Sequence, residues 1–221
     1  MEPYDEYLKL QRSTTDAKHR RQWIDNTSIH WIAQRIKDRI PFPQSGICHG
    51  VRSGTEQLWF MEHLPGSRVI GTDVAHWSDN TPYQVMWDMH DMRPDWNEAF
   101  DFVYTNSWDH SYDLDKALNA WIRSLSVGGV LVLTHSSDHV HPSVTDPTGR
   151  TLSQLIESVN RVIRKVCPTE DWKLCIPPGA PDVVPPGFKA SAPKRATHLF
   201  FTRSHPPAEH PCACGCNAPS A

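Results

Sequence analysis

The stretch Ser45-Gly46-Ile47-Cys48-His49-Gly50-Val51-Arg52-Ser53-Gly54-Thr55-Glu56, with Arg68-Val69-Ile70-Gly71-Thr72-Asp73-Val74 a short distance on, decides the fold. A short apolar run enters a loop with glycines at Gly50 and Gly54. A segment with apolar residues at Leu58, Met61 and Leu64 follows, and a second apolar run ends in an acid. The pattern is strand, glycine turn, helix, strand, carboxylate. Glycine lets the backbone turn sharply and approach a ligand, and a helix start offers free N–H groups. Asp73, nineteen residues past Gly54, is placed to accept hydrogen bonds from a ribose diol. The unit suits a nucleoside-containing cofactor; the plainer alternative is an ordinary strand-to-helix turn.

Upstream, Ile24, Trp31, Ile32, Ile36 and Ile40 recur at helical spacing between residues 18 and 40, and Pro41 and Pro43 end the pattern. This predicts a leading helix packed on a sheet, with the basic run Lys18-His19-Arg20-Arg21 as a solvated face. Downstream, Tyr83 to Met89 reads as a third strand carrying Asp88 at its end, and Phe100 to Asn106 as a fourth, followed by the polar cluster Ser107 to Asp113. Leu114, Ala117, Leu118, Trp121, Ile122 and Leu125 share one helical face, which Gly128-Gly129 is expected to stop before the strand Val130 to Leu133. A polar loop (Thr134 to Pro147), a helix from Leu152, and strands at Trp172 to Ile176 and His198 to Thr202 complete the chain. A proline-rich loop over 177–193 is expected to border the pocket.

Strands alternating with helices imply an α/β fold with a mostly parallel sheet covered on both faces, ligands binding at the carboxyl ends of the strands. The 221 residues suffice for one well-buried domain. The expected division is an N-terminal helical cap over 1–43, a Rossmann-like catalytic domain over 44–205, and a disordered Cys-rich tail over 206–221. Cys48, Cys167 and Cys175 are scattered and Cys212, Cys214 and Cys216 crowded, which is not a disulfide framework. A net charge of −3 gives no basic footprint for nucleic acid or an anionic membrane, so a small molecule is the expected partner. No apolar run reaches the length of a membrane span and the first residues lack a signal-peptide layout, so the expected location is cytoplasmic. The oligomeric state is open, a homodimer being one option.

With these elements placed, residues 44 to 203 resemble the class I S-adenosylmethionine-dependent methyltransferases. The glycine loop, Asp73 after the second strand, Asp88-Met89 after the third, and Ser126-Val127-Gly128-Gly129 before the fifth match in order. The resemblance implies a Rossmann-like seven-stranded sheet with an antiparallel last strand. It further implies a cofactor-binding set of Gly50, Arg52, Gly54, Glu56, Asp73, Asp88, Met89 and Asn106, with Gly50 and Gly54 near the methionine part, Asp73 on the ribose, and Asp88 with the Met89 backbone on the adenine. Two positions depart from the family pattern: Arg52 stands at a usual glycine, and Cys48 at a frequent acid.

The run Trp108-Asp109-His110-Ser111-Tyr112 resembles the Asp-His-Ser-Tyr signature of a subgroup that includes sugar and macrolide O-methyltransferases and proteins named cephalosporin hydroxylases, some of them magnesium-dependent. That resemblance implies O-methylation of a small-molecule or saccharide hydroxyl, with His110 and Asp109 as catalytic residues and His110 as base. Mg2+ or another divalent metal on Asp109, His135 and Asp138 is the accompanying expectation. A nicotinamide-dependent oxidoreductase and a methyltransferase-like binding module without catalysis are the alternative readings.

Overall fold

Each central strand carries apolar side chains on both of its faces. Ile47, Val103, Leu131, Leu133 and Phe201 enter one buried cluster, while their neighbours Cys48, Phe102, Tyr104, Val130, Val132 and Phe200 enter another. Alternation at a period of two, apolar on both sides, requires helices over both faces. The computed structural model describes residues 3–18, 21–75, 80–186 and 193–204 and has that arrangement. His19 and Arg20 of the basic run, residues 187–192 of the proline-rich loop and the Cys-rich tail lie outside the described residues.

The strands are β1 (Ser45–His49), β2 (Arg68–Asp73), β3 (Gln84–Met86), β4 (Phe100–Thr105), β5 (Leu125–Ser136), β6 (Asp171–Cys175) and β7 (Ala196–Ser204), in the order β3-β2-β1-β4-β5-β7-β6. Six run in one direction. β7 lies antiparallel between β5 and β6, as expected. The helices are α1 (Pro3–Ala17), α2 (Asn26–Lys37), α3 (Glu56–His63), α4 (Leu114–Ser124) and α5 (Leu152–Val166). Ile29, Ile32 and Ile36 of α2 and Phe60 of α3 cover one face; Leu118 and Trp121 of α4 and Leu155 and Val159 of α5 cover the other. Because β1 pairs with both β2 and β4, the chain reverses its winding there, and the crevice at the carboxyl ends of β1 and β4 is where the fold places a ligand. Among the described residues, no helix is long and apolar enough to cross a membrane.

Several boundaries differ from the sequence reading, each for a local reason. The leading helix begins only at Asn26, because Asp25 caps it by accepting from Ser28 N at 2.7 Å. An additional helix, α1, precedes it; Gln11 is its one buried residue, so it has no apolar stripe to announce it. β3 stops at Met86, and Asp88 then turns the chain by accepting from His90 N at 3.0 Å. α4 ends at Ser124, before Gly128-Gly129, since Leu125 is already extended and paired with Phe100 of β4. The glycines accordingly fall inside β5, near its register shift.

Candidate active site

The loop after β1 is held by the backbone of β2: Thr72 O accepts from Gly50 N at 2.8 Å and from Val51 N at 3.2 Å. Gly50 has φ +73°, and a Cβ there would lie 2.6 Å from Ser107 Cβ; Gly54 has φ +71°, and its Cβ would meet Gln84 Oε1 at 2.4 Å. Neither position admits a side chain. Arg52 also sits in the left-handed region, at φ 48°, which costs a non-glycine residue about 1 kcal/mol. Its conformation is tied down at both ends. Its backbone N–H donates to Asp73 Oδ2 at 2.8 Å, and its Nη1 donates to Arg21 O at 2.8 Å. Asp73 Oδ1 accepts from Ala75 N at 3.0 Å. Burial raises the Asp73 carboxyl above its usual range, an effect the Arg52 and Ala75 N–H groups reduce without cancelling.

Two cavities meet at this loop. The smaller, of about 50 Å³, is lined by Asp73, Trp87, Asp88 and Met89, with Tyr7 and Gln11 of α1 opposite. The larger, of about 250 Å³, contains Glu56, Asn106, Asp109, Asp138 and Asp146. Gly50, Arg52, Ser107 and His110 border both. Asp88 is engaged by the Tyr4 hydroxyl and by His90 Nδ1 at 2.6 Å. Burial alone would raise its carboxyl, but the bonds from His90 and Tyr4 outweigh that and hold it below the usual range. Met89 O accepts from Trp121 Nε1 at 3.0 Å, fixing the backbone expected to face adenine. α1 lies across this cavity through Tyr7 Oη to His110 O at 2.6 Å, Gln11 Nε2 to Thr145 O at 2.6 Å and Arg12 Nε to Val74 O at 3.1 Å.

In the larger cavity Glu56, 2% exposed, uses Oε1 to accept from Gln22 Nε2 at 2.7 Å and from Asn106 Nδ2 at 3.0 Å, while its Oε2 has no partner. Burial pushes its carboxyl up to about 7, partly countered by the Asn106 bond. Asp109 is likewise buried, with Oδ1 unpartnered, and burial pushes it up to about 6. His110 Nδ1 lies 3.0 Å from Asp146 Oδ1 and 3.2 Å from Thr145 O, so Nε2 is the ring nitrogen left free of these contacts. His139 accepts at Nδ1 from Ser136 N at 2.9 Å, which places its proton on Nε2, 3.0 Å from Asn106 O. Burial lowers its pKa, keeping it a neutral clasp on the end of β4.

The expected metal set is not brought together. His135 reaches Arg150 O through Nε2 at 3.0 Å and stacks on Trp108, and Asp138 pairs with Lys194. Among the described residues, the donor atoms of Asp109, His110 and Asp146 instead lie within 4.8 Å of one another. Asp146 escaped the sequence reading because it sits in an irregular loop with no spacing to flag it. Trp108 is fully buried rather than facing a ligand, and Tyr112 packs against Tyr4 and Tyr7 at centroid distances of 5.3 Å. Pro185 of the proline-rich loop lines the larger cavity, as does Lys194 just beyond it.

No protein-family model matches the chain, and no curated protein sequence does. Solved structures do. The 1,6-didemethyltoxoflavin-N1-methyltransferase of Burkholderia thailandensis, with bound 1,6-didemethyltoxoflavin and S-adenosylhomocysteine, matches with a TM-score of 0.63 at 14% identity over 91% of this chain and 90% of that one. The plantazolicin methyltransferase BpumL, in complex with a triazolic desmethylPZN analogue and S-adenosylhomocysteine, gives 0.60 at 12% identity over 92% of each chain. A TehB-like S-adenosylmethionine-dependent methyltransferase from Corynebacterium glutamicum gives 0.51 at 17% identity over 78% of this chain and 87% of that one. Strand order, the antiparallel β7 and these likenesses together show that the chain has the Rossmann-like fold of the S-adenosylmethionine-dependent methyltransferases.

Proposed function

We propose that the protein is an S-adenosylmethionine-dependent methyltransferase acting on a hydroxyl of a small molecule or saccharide, with His110 as general base. The observation that carries this reading is the junction of the two cavities at Gly50, Arg52, Ser107 and His110: Asp73, Asp88 and Met89 lie on one side and a larger chamber lined by Glu56, Asp109, Asp146, Lys18 and Lys194 on the other. The cofactor, when bound, supplies an electrophilic methyl group on a sulfonium centre.

The residues present fit such a ligand. The Asp73 carboxylate would take the ribose hydroxyls, Asp88 and the Met89 backbone would face the adenine, and Gly50, packed against Ser107, lets the loop turn between the two cavities. Glu56 Oε2, buried and without a hydrogen-bond partner in the protein, supports a role in receiving a donor from the ligand. With α1 in place the smaller cavity, at about 50 Å³, is well below the roughly 300 Å³ of ordinary ligand pockets, so α1 would swing outward to admit a nucleoside.

On the acceptor side, Asp146 orients His110 through Nδ1, leaving Nε2 to remove the proton of the reacting hydroxyl, while Asp109 Oδ1 would accept a hydrogen bond from a neighbouring hydroxyl of the acceptor. The carboxylates of Asp109 and Asp146 beside His110 would favour an acceptor rich in donors, as a polyol is. A second reading has support in the convergence of Asp109, His110 and Asp146: these would hold a divalent ion that acidifies the hydroxyl. Transfer of labelled methyl to a panel of hydroxyl and amine acceptors, with and without chelator, tests both readings. Transfer to hydroxyls that survives chelation and is lost in His110→Gln supports the base; loss on chelation with recovery on adding Mg2+ supports the ion. Absence of any response to S-adenosylhomocysteine, in heat or in thermal shift, would refute the methyltransferase reading.

A further inference from the structure

Gln11, 6% exposed, is the one buried residue of α1. A polar side chain is stable in such a place only when its groups are bonded. Its Nε2 donates to Thr145 O at 2.6 Å, at the residue just before Asp146. One helical turn earlier, the Tyr7 hydroxyl donates to His110 O at 2.6 Å. α1 therefore holds the backbone beside both members of the His110–Asp146 pair.

The loop that supplies Asp146 is set by polar contacts. Val144 is 81% exposed and gives it no apolar anchor. On the far side of Asp146, Thr148 N donates to Asp109 O at 3.0 Å and Thr148 Oγ1 to Ser111 O at 2.7 Å. Within the loop, Asp146 Oδ2 accepts from Ser143 Oγ at 2.9 Å and Thr145 Oγ1 at 3.2 Å, which leaves Oδ1 for His110. His110 Nδ1 lies 3.0 Å from that oxygen and 3.2 Å from Thr145 O, the same carbonyl that Gln11 engages. Two acceptors facing Nδ1 place the ring proton there and leave the lone pair on Nε2, the form a base needs. We infer that Gln11 is a positioning residue for methyl transfer: by fixing Thr145 O it holds Asp146 in register with His110 and so selects the tautomer of the base. Tyr7 and Gln11 also wall the smaller cavity, so the helix that must move to admit a cofactor is the one that completes the pair when it is seated. This rests on the reading of His110 as the base of a methyltransferase and names what prepares it.

The test is long-range proton–nitrogen correlation spectroscopy of the full chain labelled with 15N-histidine, native and Gln11→Leu, with the His110 ring signals assigned by their disappearance in His110→Gln. The native ring should carry its proton on Nδ1. In Gln11→Leu, which keeps the bulk and removes the donor, the proton should redistribute toward Nε2. Labelled methyl transfer to hydroxyl acceptors at saturating S-adenosylmethionine should fall about tenfold or more, with S-adenosylhomocysteine affinity kept within about threefold. Should Gln11→Leu not fold, Gln11→Asn, one methylene too short to reach Thr145 O, takes its place. A native His110 protonated on Nε2, or His110 signals unmoved in the variant, would overturn the inference, and the second result would leave Gln11 only a wall of the cofactor cavity. A native chain that gives no response to S-adenosylhomocysteine would instead refute the methyltransferase reading, and the inference with it, whatever the ring signals show.

Discussion

Replacing Glu56 by Gln should make the ligand-free protein more stable at neutral and alkaline pH while weakening its hold on the cofactor. Burial raises the Glu56 carboxyl from 4.5 to about 7, so the native state binds this proton more tightly than the unfolded chain does. Its contribution to stability is therefore complete below about pH 4.5, declines as pH rises through about 7, and is absent above. The interval corresponds to about 3 kcal/mol. Gln offers the same shape and one carbonyl for Gln22 and Asn106 but no charge to desolvate. The variant should thus match the native protein in mild acid and exceed it by up to about 3 kcal/mol near pH 8.

Other buried groups also tilt the curve. Burial pushes His49 down to about 3 and His198 to about 4, so their contributions are present above the ordinary histidine range and are lost as pH falls through those values. They act equally in both proteins, so the difference between two urea-denaturation series, followed by tryptophan fluorescence across the pH range, isolates Glu56. Parallel stability curves would refute the argument. A gain in stability accompanied by a loss of S-adenosylhomocysteine affinity would be the trade expected where a site keeps an uncompensated charge for its ligand.

Three further outcomes follow from the geometry. Asp146→Asn and His110→Gln should each lower methyl transfer by about a hundredfold or more while S-adenosylhomocysteine affinity in calorimetry stays within about threefold, because they act on the acceptor proton. Trp121→Ala removes a fully buried ring and the donor to Met89 O; it should cost about 3–5 kcal/mol in urea denaturation. Tyr7→Phe, which deletes the bond from α1 to His110 O beside the smaller cavity and leaves those of Tyr4, Gln11 and Arg12, should speed S-adenosylhomocysteine association in stopped-flow fluorescence with little change in global stability.

The unit from β1 to Asp73 was legible because its determinants are local: two left-handed glycines, a helix start and an acid close together in the chain. The two-faced burial of β1, β4 and β5 was legible in their continuous apolar runs, and the antiparallel β7 came with the family resemblance. α1 was not legible as a helix over the site, since its attachments are polar and distant, Tyr4 meeting Asp88 across 84 residues. For the same reason Asp146 was invisible: only the folded loop brings it to His110. His135 and Asp138 were expected as ligands through the subgroup resemblance, yet the carbonyl of Arg150 and the ammonium of Lys194 engage them. Arg52, an apparent defect in the glycine loop, adopts the glycine-like conformation and donates its backbone N–H to Asp73.

The central claim is that the crevice at Gly50 and Asp73 binds an S-adenosylmethionine-type cofactor. Titration of S-adenosylhomocysteine into the native chain and into Asp73→Ala tests it most directly. The account predicts saturable one-to-one binding by the native chain and affinity lower by about one to two orders of magnitude in the variant, from the loss of charge-assisted bonds to the ribose. No heat with the native chain, or equal affinity in both proteins, would contradict it.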